Sequence, residues 1–291
     1  MPSVRQLRRR IRSVENTAKI TKAMSMIAAS KMRRAQEMAL QSRPYAEDMR
    51  SLLADLAAQP APDDEEYIHP LLRRREIKRA EIVVITPDRG LTGGLHSRIN
   101  RVVGEFILER QKEGVETSVI AVGRKGRDFL VRTGQDVRAV FSDLGDRPEL
   151  EDVRPIATLV NDEYSEERVD AVYLAYADFV STVTQRPVVQ PLLPVVPAEL
   201  EYKDMVGYIY EPDPLTVMAA LLPRFVDMQV YHAILESVAS EQSARMVAMR
   251  NATDNANDMV SDLTLEMNKA RQESITSELL DIVGGAAAVE A

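Results

Sequence analysis

A glycine-rich stretch, Thr86-Pro-Asp-Arg-Gly-Leu-Thr-Gly-Gly-Leu95, is where enzyme chemistry would first be sought in this 291-residue chain. It follows a short β-branched run and precedes a helical pattern, and glycines placed in this way can hold a phosphate on bare backbone amides. The spacing matches neither the G-x-G-x-x-G fingerprint nor the P-loop, and no Lys-Ser or Lys-Thr pair follows. We therefore favour a tight turn, with Asp88 and Arg89 as turn or interface residues. A nucleotide-binding enzyme that uses this loop stays open as an alternative.

Other reactive side chains are scarce. The chain has no Cys, which excludes a thiol nucleophile and a Cys-ligated zinc site. Its three His residues, His69, His96 and His232, are too scattered along the sequence to indicate a metal cluster. The sequence thus predicts no catalytic residue, no metal and no cofactor.

The charge of the chain is unevenly distributed. A net charge of −8 argues against bulk nucleic-acid binding, yet residues 1–43 carry eleven Lys or Arg and two Asp or Glu, whereas residues 215–291 carry five and eleven. Such asymmetry suits two segments that pair with each other, or a basic arm that meets an acidic partner. An arm from Arg5 to Arg12 that binds nucleic acid or anionic lipid is a further alternative.

Targeting and membrane signals are also weak. An Arg-rich start is found in mitochondrial transit peptides, but this one continues into a helical pattern without a small-residue cleavage site, so we interpret it as mature protein. No apolar run approaches the roughly 18 residues of a membrane-spanning helix. We expect membrane association only through partners, without direct insertion.

The first segment, residues 1–58, has the pattern of a coiled-coil helix. Apolar and small residues alternate at spacings of three and four over more than five heptads, and Ile20, Met24 and Ile27 form a second strip on a neighbouring face. Pro44 predicts a kink or joint. The first strip consists of Val4, Leu7, Ile11, Val14, Ala18, Thr21, Ser25, Ala28, Met32, Ala35 and Ala39.

The middle of the chain has the pattern of an α/β domain. A Pro-rich, charged linker is predicted over residues 59–80, and a doubly wound, Rossmann-like domain over residues 81–207. Strands are predicted at 81–86, 117–122, 137–141 and 171–177, with helices from Gly93-Gly94 to about Gln111, near 124–133 and over 150–165. The stretch from Pro187 to Val196 carries three prolines, which restricts it to an edge strand.

The last segment, residues 208–291, predicts a helix from Leu215 to Val283 that Gly284-Gly285 stops. Folded back on the first helix as an antiparallel pair, it places Met24 near the level of Ala248, with Arg245 less than one turn away. Residues 269–284 then project beyond the pair as a tip. The expected architecture is a long antiparallel coiled coil of the N- and C-terminal helices plus the α/β domain.

These stretches together resemble the gamma subunits of F-type ATP synthases from end to end. The resemblance is carried by Ile20-Thr-Lys-Ala-Met24, Ala28-Ala-Ser-Lys-Met-Arg33, Arg43-Pro-Tyr-Ala46, Gly90-Leu-Thr-Gly-Gly-Leu95, Ser240-Glu-Gln-Ser-Ala-Arg-Met-Val-Ala-Met249, Ala252-Thr-Asp-Asn255, Asn268-Lys-Ala-Arg-Gln272, Ile275-Thr276, Glu278 and Ile282-Val-Gly-Gly285.

The resemblance implies a noncatalytic rotor shaft that turns inside a ring of alpha and beta subunits and couples proton flow through a membrane c-ring to ATP synthesis. It also implies an epsilon subunit as partner. Because no import signal is evident in the sequence, we expect a peripheral location at the cytoplasmic face of a bacterial membrane. Contact with the catalytic ring is implied for Arg245, Gln272 and Thr276, with Arg271 as a neighbouring candidate, and Met24 matches a position on the facing helix that is sensitive in coupling. A foot on the membrane ring is implied for Tyr208, Tyr210 and Glu211.

Two departures from the family pattern are visible. Thr92 stands where these subunits often have Cys, and the regulatory insertion of photosynthetic members is missing, which argues against thiol control. Pro223 lies in a stretch that the family resemblance would make uninterrupted. It predicts a kink, or a late restart of the last helix near Leu222.

Overall fold

The computed structural model describes residues 2–58, 69–196 and 210–290. Much of the predicted linker, and Tyr208, fall outside the described residues. Contacts divide the chain into two compact units: a helical unit of residues 1–28 and 246–291, and an α/β unit of residues 29–245. The first helix, α1, runs over Val4–Ala58, and the last helix, α5, over Pro214–Glu290. Each of these helices contributes residues to both units.

In the helical unit the two long helices pair in antiparallel orientation. The hydroxyls of Thr21 and Thr253 lie 2.7 Å apart, and Ser25 Oγ donates to the carbonyl oxygen of Met246 at 3.1 Å. These bonds bracket Met24 and Ala248, so the predicted pairing and its register are confirmed. Every residue of the predicted α1 strip is buried or half-buried, because the 3-4 spacing keeps one face of the helix turned to its neighbour.

Predictions of a late restart of α5 near Leu222 and of a stop at Gly284-Gly285 were both wrong. Helix α5 begins at Pro214 and contains Pro223, so it does not restart late. Leu222 and Val226 are fully buried on either side of this proline, and their packing offsets the backbone bond that proline removes. The helix also continues through Gly284-Gly285 to Glu290. A glycine costs only about 1 kcal/mol against alanine inside a helix, and three alanines, good helix formers, follow directly.

The α/β unit is built on a five-stranded sheet in the order β3-β2-β1-β4-β5. The first four strands are parallel, and β5 pairs with β4 in antiparallel orientation at the edge, as its prolines predict. The strands are β1 (Arg79–Ile85), β2 (Glu116–Val122), β3 (Asp136–Phe141), β4 (Ala171–Phe179) and β5 (Gln185–Leu193). The connecting helices are α2 (Leu95–Lys112), α3 (Arg124–Arg132) and α4 (Leu150–Ser165), and a short 3-10 helix, Pro70–Leu72, precedes β1.

Helices cover both faces of this sheet. On one face, α2 and α3 pack through buried side chains such as Ile99 and Leu130. On the other face, α4 packs through Ile156, and α5 contributes Leu222, Val226, Val230, Ala233 and Ile234. The last helix is therefore part of the core of the α/β unit as well as of the helical pair.

A buried carboxyl lies in the central strand. Glu81 of β1 is fully buried beside Ser118 of β2, whose Oγ donates to Glu81 Oε1 at 3.4 Å, and Glu81 Oε2 has no hydrogen-bond partner in the described residues. Burial and the nearby charge of Glu163 raise the pKa of Glu81 to about 7, against the opposing effect of Arg138. Glu163 is itself bound by Arg138 and Arg168.

This carboxyl should make the stability of the protein depend on pH. Its proton is held more tightly in the folded chain than in the unfolded chain, where the pKa is 4.5. Protonated Glu81 therefore adds about 3 kcal/mol to the free energy of unfolding below pH 4.5. This contribution is lost as the pH rises toward 7. We expect Glu81→Gln to remove most of this decline in urea unfolding measured from pH 4.5 to 8. Glu105→Gln, on the exposed face of α2, is the matched control. An unchanged decline in Glu81→Gln would contradict the assignment.

Candidate functional site

The loop between β1 and α2, which contains the glycine-rich stretch, is bound to its neighbours through Asp88. The Asp88 carboxylate accepts from the amide of Arg124 at 3.0 Å and from the amide of Asp143 at 2.9 Å. Arg124 opens α3, and Asp143 follows β3, so one side chain joins three loops at the carboxyl edge of the sheet. Asp88 is a turn residue of the kind that the sequence predicts.

The start of α3 leaves little room for a phosphate against this loop. Thr86 Oγ1 accepts from the amide of Gly126 at 2.8 Å, and the carbonyl oxygen of Pro87 accepts from the amide of Lys125 at 3.2 Å. With the bond to Asp88, the first three amides of α3 are all satisfied by the β1–α2 loop. A Cβ atom at Gly123 would lie 1.9 Å from the carbonyl oxygen of Thr86. This close packing favours the tight-turn interpretation over a nucleotide cradle.

Arg245, predicted to contact the catalytic ring, has partners within the α/β unit. Its Nη2 atom donates to Glu241 Oε1 at 2.7 Å and to the carbonyl oxygen of Gly90 at 3.4 Å, and its side chain is only 13% exposed. Burial raises the pKa of Glu241, Arg245 opposes that rise, and Asp146 and Asp88 add to it. The Arg245 guanidinium therefore compensates a half-buried carboxylate.

The residues between Glu241 and Arg245 continue these contacts. Gln242 Nε2 donates to Asp146 Oδ1 at 2.9 Å, and Asp146 also pairs with Lys31 of α1. Ser243 Oγ donates to the carbonyl oxygen of Thr182 at 2.6 Å. This stretch, residues 240–245, is called the polar segment of α5. It ties α5 to the loops that follow β1, β3 and β4, at the edge where α/β folds usually hold ligands.

Sequence reasoning assigned no role to Glu241, Gln242 or Ser243. The signal was present as a run of polar residues, Ser240-Glu-Gln-Ser, within an otherwise apolar helical stretch. Glu241 pairs with Arg245 four residues on, but the partners of Gln242 and Ser243 lie 58 to 96 residues away in the sequence, so spacing along α5 alone could not identify them.

The predicted contact residues of the helical unit are more open. Met24 is half-buried, and its strip neighbours Ile20 and Ile27 are 60% and 55% exposed. Arg271, Gln272 and Thr276 are exposed on successive turns of α5, where every residue from 271 to 280 is exposed. Residues 275–283 of this helix present apolar side chains that are all at least 50% exposed: Ile275, Leu279, Leu280, Ile282 and Val283.

The residues of the predicted foot lie in different surroundings. Tyr210 donates a hydrogen bond from its hydroxyl to Asp55 Oδ2 at 2.7 Å, and Asp55 is buried on α1. Glu211 is exposed in the bend before α5. The structure thus brings Tyr210 against the first helix and leaves Glu211 open to solvent.

Metal sites and membrane-spanning helices are both absent from the described residues. In the described parts of the chain, no group of three or more His, Asp or Glu side chains is placed to hold a metal ion. Among the same residues, no helix combines the length and the hydropathy that crossing a bilayer requires.

Fold and site together define a class: a subunit with two long paired helices, an α/β unit whose carboxyl edge is closed by its own last helix, and exposed apolar strips suited to protein partners. Comparison of the sequence with known proteins is consistent with a subunit of this class.

The family model described as ATP synthase matches residues 3–289. The ATP synthase gamma chain of Dehalococcoides mccartyi is 56% identical over 289 residues, covering 99% of this chain and 100% of that relative. The chain belongs to the ATP synthase gamma chain family.

Two solved structures have the same fold. In the Tetrahymena thermophila mitochondrial ATP synthase, described as central stalk and c-ring, a chain aligns with a TM-score of 0.60 and 25% identity, covering 80% of this chain and 99% of that one. In the Euglena gracilis mitochondrial ATP synthase, a chain aligns with a TM-score of 0.67 and 20% identity, covering 98% of this chain and 94% of that one. The second likeness shows the fold alone.

Proposed function

We propose that this chain is the central rotor shaft of an F-type ATP synthase, and that it couples proton-driven rotation of the membrane ring to ATP synthesis at the alpha and beta subunits. The observation that carries the proposal is the 56% identity to a gamma chain over nearly the whole of both sequences. The exposed apolar strips support it, because surfaces of that kind mark protein contacts.

The proposed contact with the catalytic ring uses Met24, Arg271, Gln272 and Thr276. Arg271 and Gln272 are exposed and offer directional hydrogen-bond donors, while the apolar neighbours of Thr276 offer area to bury. Met24 lies in a strip whose outer members, Ile20 and Ile27, are open. Arg245 is proposed for the same contact, and its bonds to Glu241 and Gly90 would hold its guanidinium in position.

The proposed foot on the c-ring consists of Tyr208, Tyr210 and Glu211, and we propose the epsilon subunit as a further partner. The hydrogen bond from Tyr210 to Asp55 supports a fixed position for this part of the foot. Glu211 is exposed to solvent and therefore accessible to a partner. The subunit is proposed to be noncatalytic and peripheral at the cytoplasmic face of a bacterial membrane. Its mechanism is asymmetry: different faces of one shaft impose different conformations on three identical catalytic sites.

Copurification tests this function. The chain is tagged in its native cells, purified from gently solubilised membranes and assayed for ATP hydrolysis, with an untagged strain as control. We expect alpha, beta, epsilon and c-ring subunits to be recovered together with ATPase activity. Recovery of the tagged chain alone, or with unrelated proteins, would contradict the rotor and reopen the nucleotide-binding alternative.

A further inference from the structure

Residue 138 forms a β-bulge in the edge strand β3. Two successive residues of β2 pair with Val137 and Ala139, so Arg138 is an extra residue without a partner in the ladder. Bulges are common at sheet edges, where they re-aim the side chain that they carry. The Arg138 side chain reaches α4, and its Nη1 atom donates to Glu163 Oε2 at 2.5 Å. The rotor function gives this arrangement no role.

Glu163 is bound by two guanidinium groups, although it carries a single charge. Arg168 Nε donates to Glu163 Oε1 at 2.9 Å, in addition to the bond from Arg138. The Glu163 side chain is only 11% exposed, so its charge needs a partner, and either arginine alone provides one. Arg168 is also paired with Glu166 beside it in the chain. Arg138 is therefore the guanidinium that can leave Glu163 without leaving a buried charge unpaired.

Glu81 is a second buried carboxyl on the same face of the sheet. It lies two residues before Val83, which packs in the core under α4, and successive residues of a strand alternate between faces. Ser118 donates to Glu81 Oε1, whereas Glu81 Oε2 has no hydrogen-bond partner among the described residues. The strands β1 and β3 are two spacings apart, roughly 10 Å. An extended arginine and an extended glutamate side chain span such a distance together.

Arg138 is the cation that faces Glu81. The charges with the largest effect on this carboxyl belong to Glu163 on α4 and to Arg138 and Asp136 on β3, and Arg138 alone among these three is positive. Burial, with the charge of Glu163, raises the pKa of Glu81 to about 7, so both protonation states occur near neutral pH. From the other side, α5 packs on this face through apolar side chains. The charges next to β4 are paired with one another: Asp170, Arg75 and Arg79.

We propose that Arg138 is the moving part of a proton-controlled switch: it binds Glu163 while Glu81 is protonated, and it turns to Glu81 when that carboxyl ionises. Arg168 stays on Glu163 in both states, so every buried charge keeps a partner. The exchange releases the ion pair that joins the edge strand β3 to α4. The attachment of β3 to this helix is thus complete in mild acid and weakened in mild base. The switch does not rest on the rotor function.

Double-mutant cycles at two pH values test the switch. The full-length chain is unfolded in urea at pH 5.5 and pH 8.5, with Arg138→Met and Glu163→Gln made singly and together. We expect the two substitutions to be coupled by about tenfold in the equilibrium constant for unfolding at pH 5.5, because a hydrogen bond between charged groups is broken. At pH 8.5 the coupling should fall below about twofold. The matched control pairs Arg168→Met with Glu163→Gln, whose coupling should be the same at both pH values.

The Glu81→Gln background decides whether Glu81 is the trigger. Glutamine does not ionise, so the coupling between Arg138 and Glu163 should stay at about tenfold at pH 8.5 in this background. The titration of other groups is common to both backgrounds and cancels in the comparison. Equal coupling of Arg138 and Glu163 at both pH values in the unsubstituted background, or a loss at pH 8.5 that persists with Glu81→Gln, would overturn the proposal.

Hydrogen exchange provides a readout that needs no change at Arg138, should Arg138→Met unfold too readily. Protection of the β3 amides, corrected for the intrinsic dependence of exchange on pH, should fall about tenfold between pH 5.5 and pH 8.5 in the unsubstituted chain. In Glu81→Gln it should stay constant. Constant protection in the unsubstituted chain, or the same fall in both chains, would contradict a switch at Glu81.

Discussion

Complexes whose gamma chain ends at Asn268 are expected to lose at least about nine-tenths of coupled ATP synthesis. The removed residues carry five exposed apolar side chains, Ile275, Leu279, Leu280, Ile282 and Val283, each 50% to 67% exposed. Covering side chains that are half exposed contributes roughly 1 kcal/mol each, and about 1.4 kcal/mol already corresponds to a tenfold change in a binding constant. The truncation also removes the proposed donors Arg271 and Gln272.

The measurement is ATP synthesis by membrane vesicles under an imposed proton gradient, with the assembly of the complex verified on gels. A chain that ends at Gly284 is the matched control, because it keeps all five apolar side chains. We expect it to support synthesis near the level of the complete chain. Undiminished coupled synthesis by the chain that ends at Asn268 would remove the tip from the mechanism.

The second large effect is expected for Gly123→Ala. Gly123 has a φ of +101°, and an added Cβ would lie 1.9 Å from the carbonyl oxygen of Thr86. The loop cannot easily move, because Thr86 and Gly123 donate their amides to Val122 and Phe141 at 2.8 Å. Backbone strain of about 1 to 3 kcal/mol and overpacking of similar size add together. We expect the free energy of unfolding to fall by at least about 3 kcal/mol in urea titrations.

Gly134→Ala separates the two causes. Gly134 also has a positive φ, +72°, but a Cβ there meets nothing within 4 Å. Its replacement should therefore cost only the backbone strain, about 1 to 2 kcal/mol. If both variants lost the same stability, close packing between Thr86 and α3 could not be the cause of the Gly123 effect.

The features that the sequence predicts well are those that repeat locally. The strip from Val4 to Ala39 has a constant spacing, and so the buried face of α1 and its pairing through Thr21 follow from it. The strands are likewise short β-branched runs bounded by turns, and the prolines of β5 correctly limit it to the edge of the sheet.

The features that the sequence predicts poorly depend on distant partners. The sequence predicts that Pro223 interrupts the last helix. The helix stays intact because the buried neighbours of Pro223 pack in the core, and no local pattern shows that packing. From the sequence, Arg245 is expected only to contact a partner subunit. In the structure it also binds Glu241 and a carbonyl oxygen 155 residues earlier in the chain. Asn100 looks like an ordinary helix residue, and only the packing of α3 beside α2 shows that its Oδ1 atom has no partner among the described residues.

The packing of α5 against the sheet has a consequence for synthesis on the ribosome. The face of the sheet that includes Val83 and Leu174 is completed by Leu222 to Ile234, which are translated 43 to 55 residues after β4 ends at Phe179. At about 5 to 20 residues per second, this interval lasts roughly 2 to 11 s. During that time this apolar face of the sheet lacks the part of α5 that packs on it in the folded protein. We therefore expect the nascent chain to bind a chaperone that shields apolar surfaces.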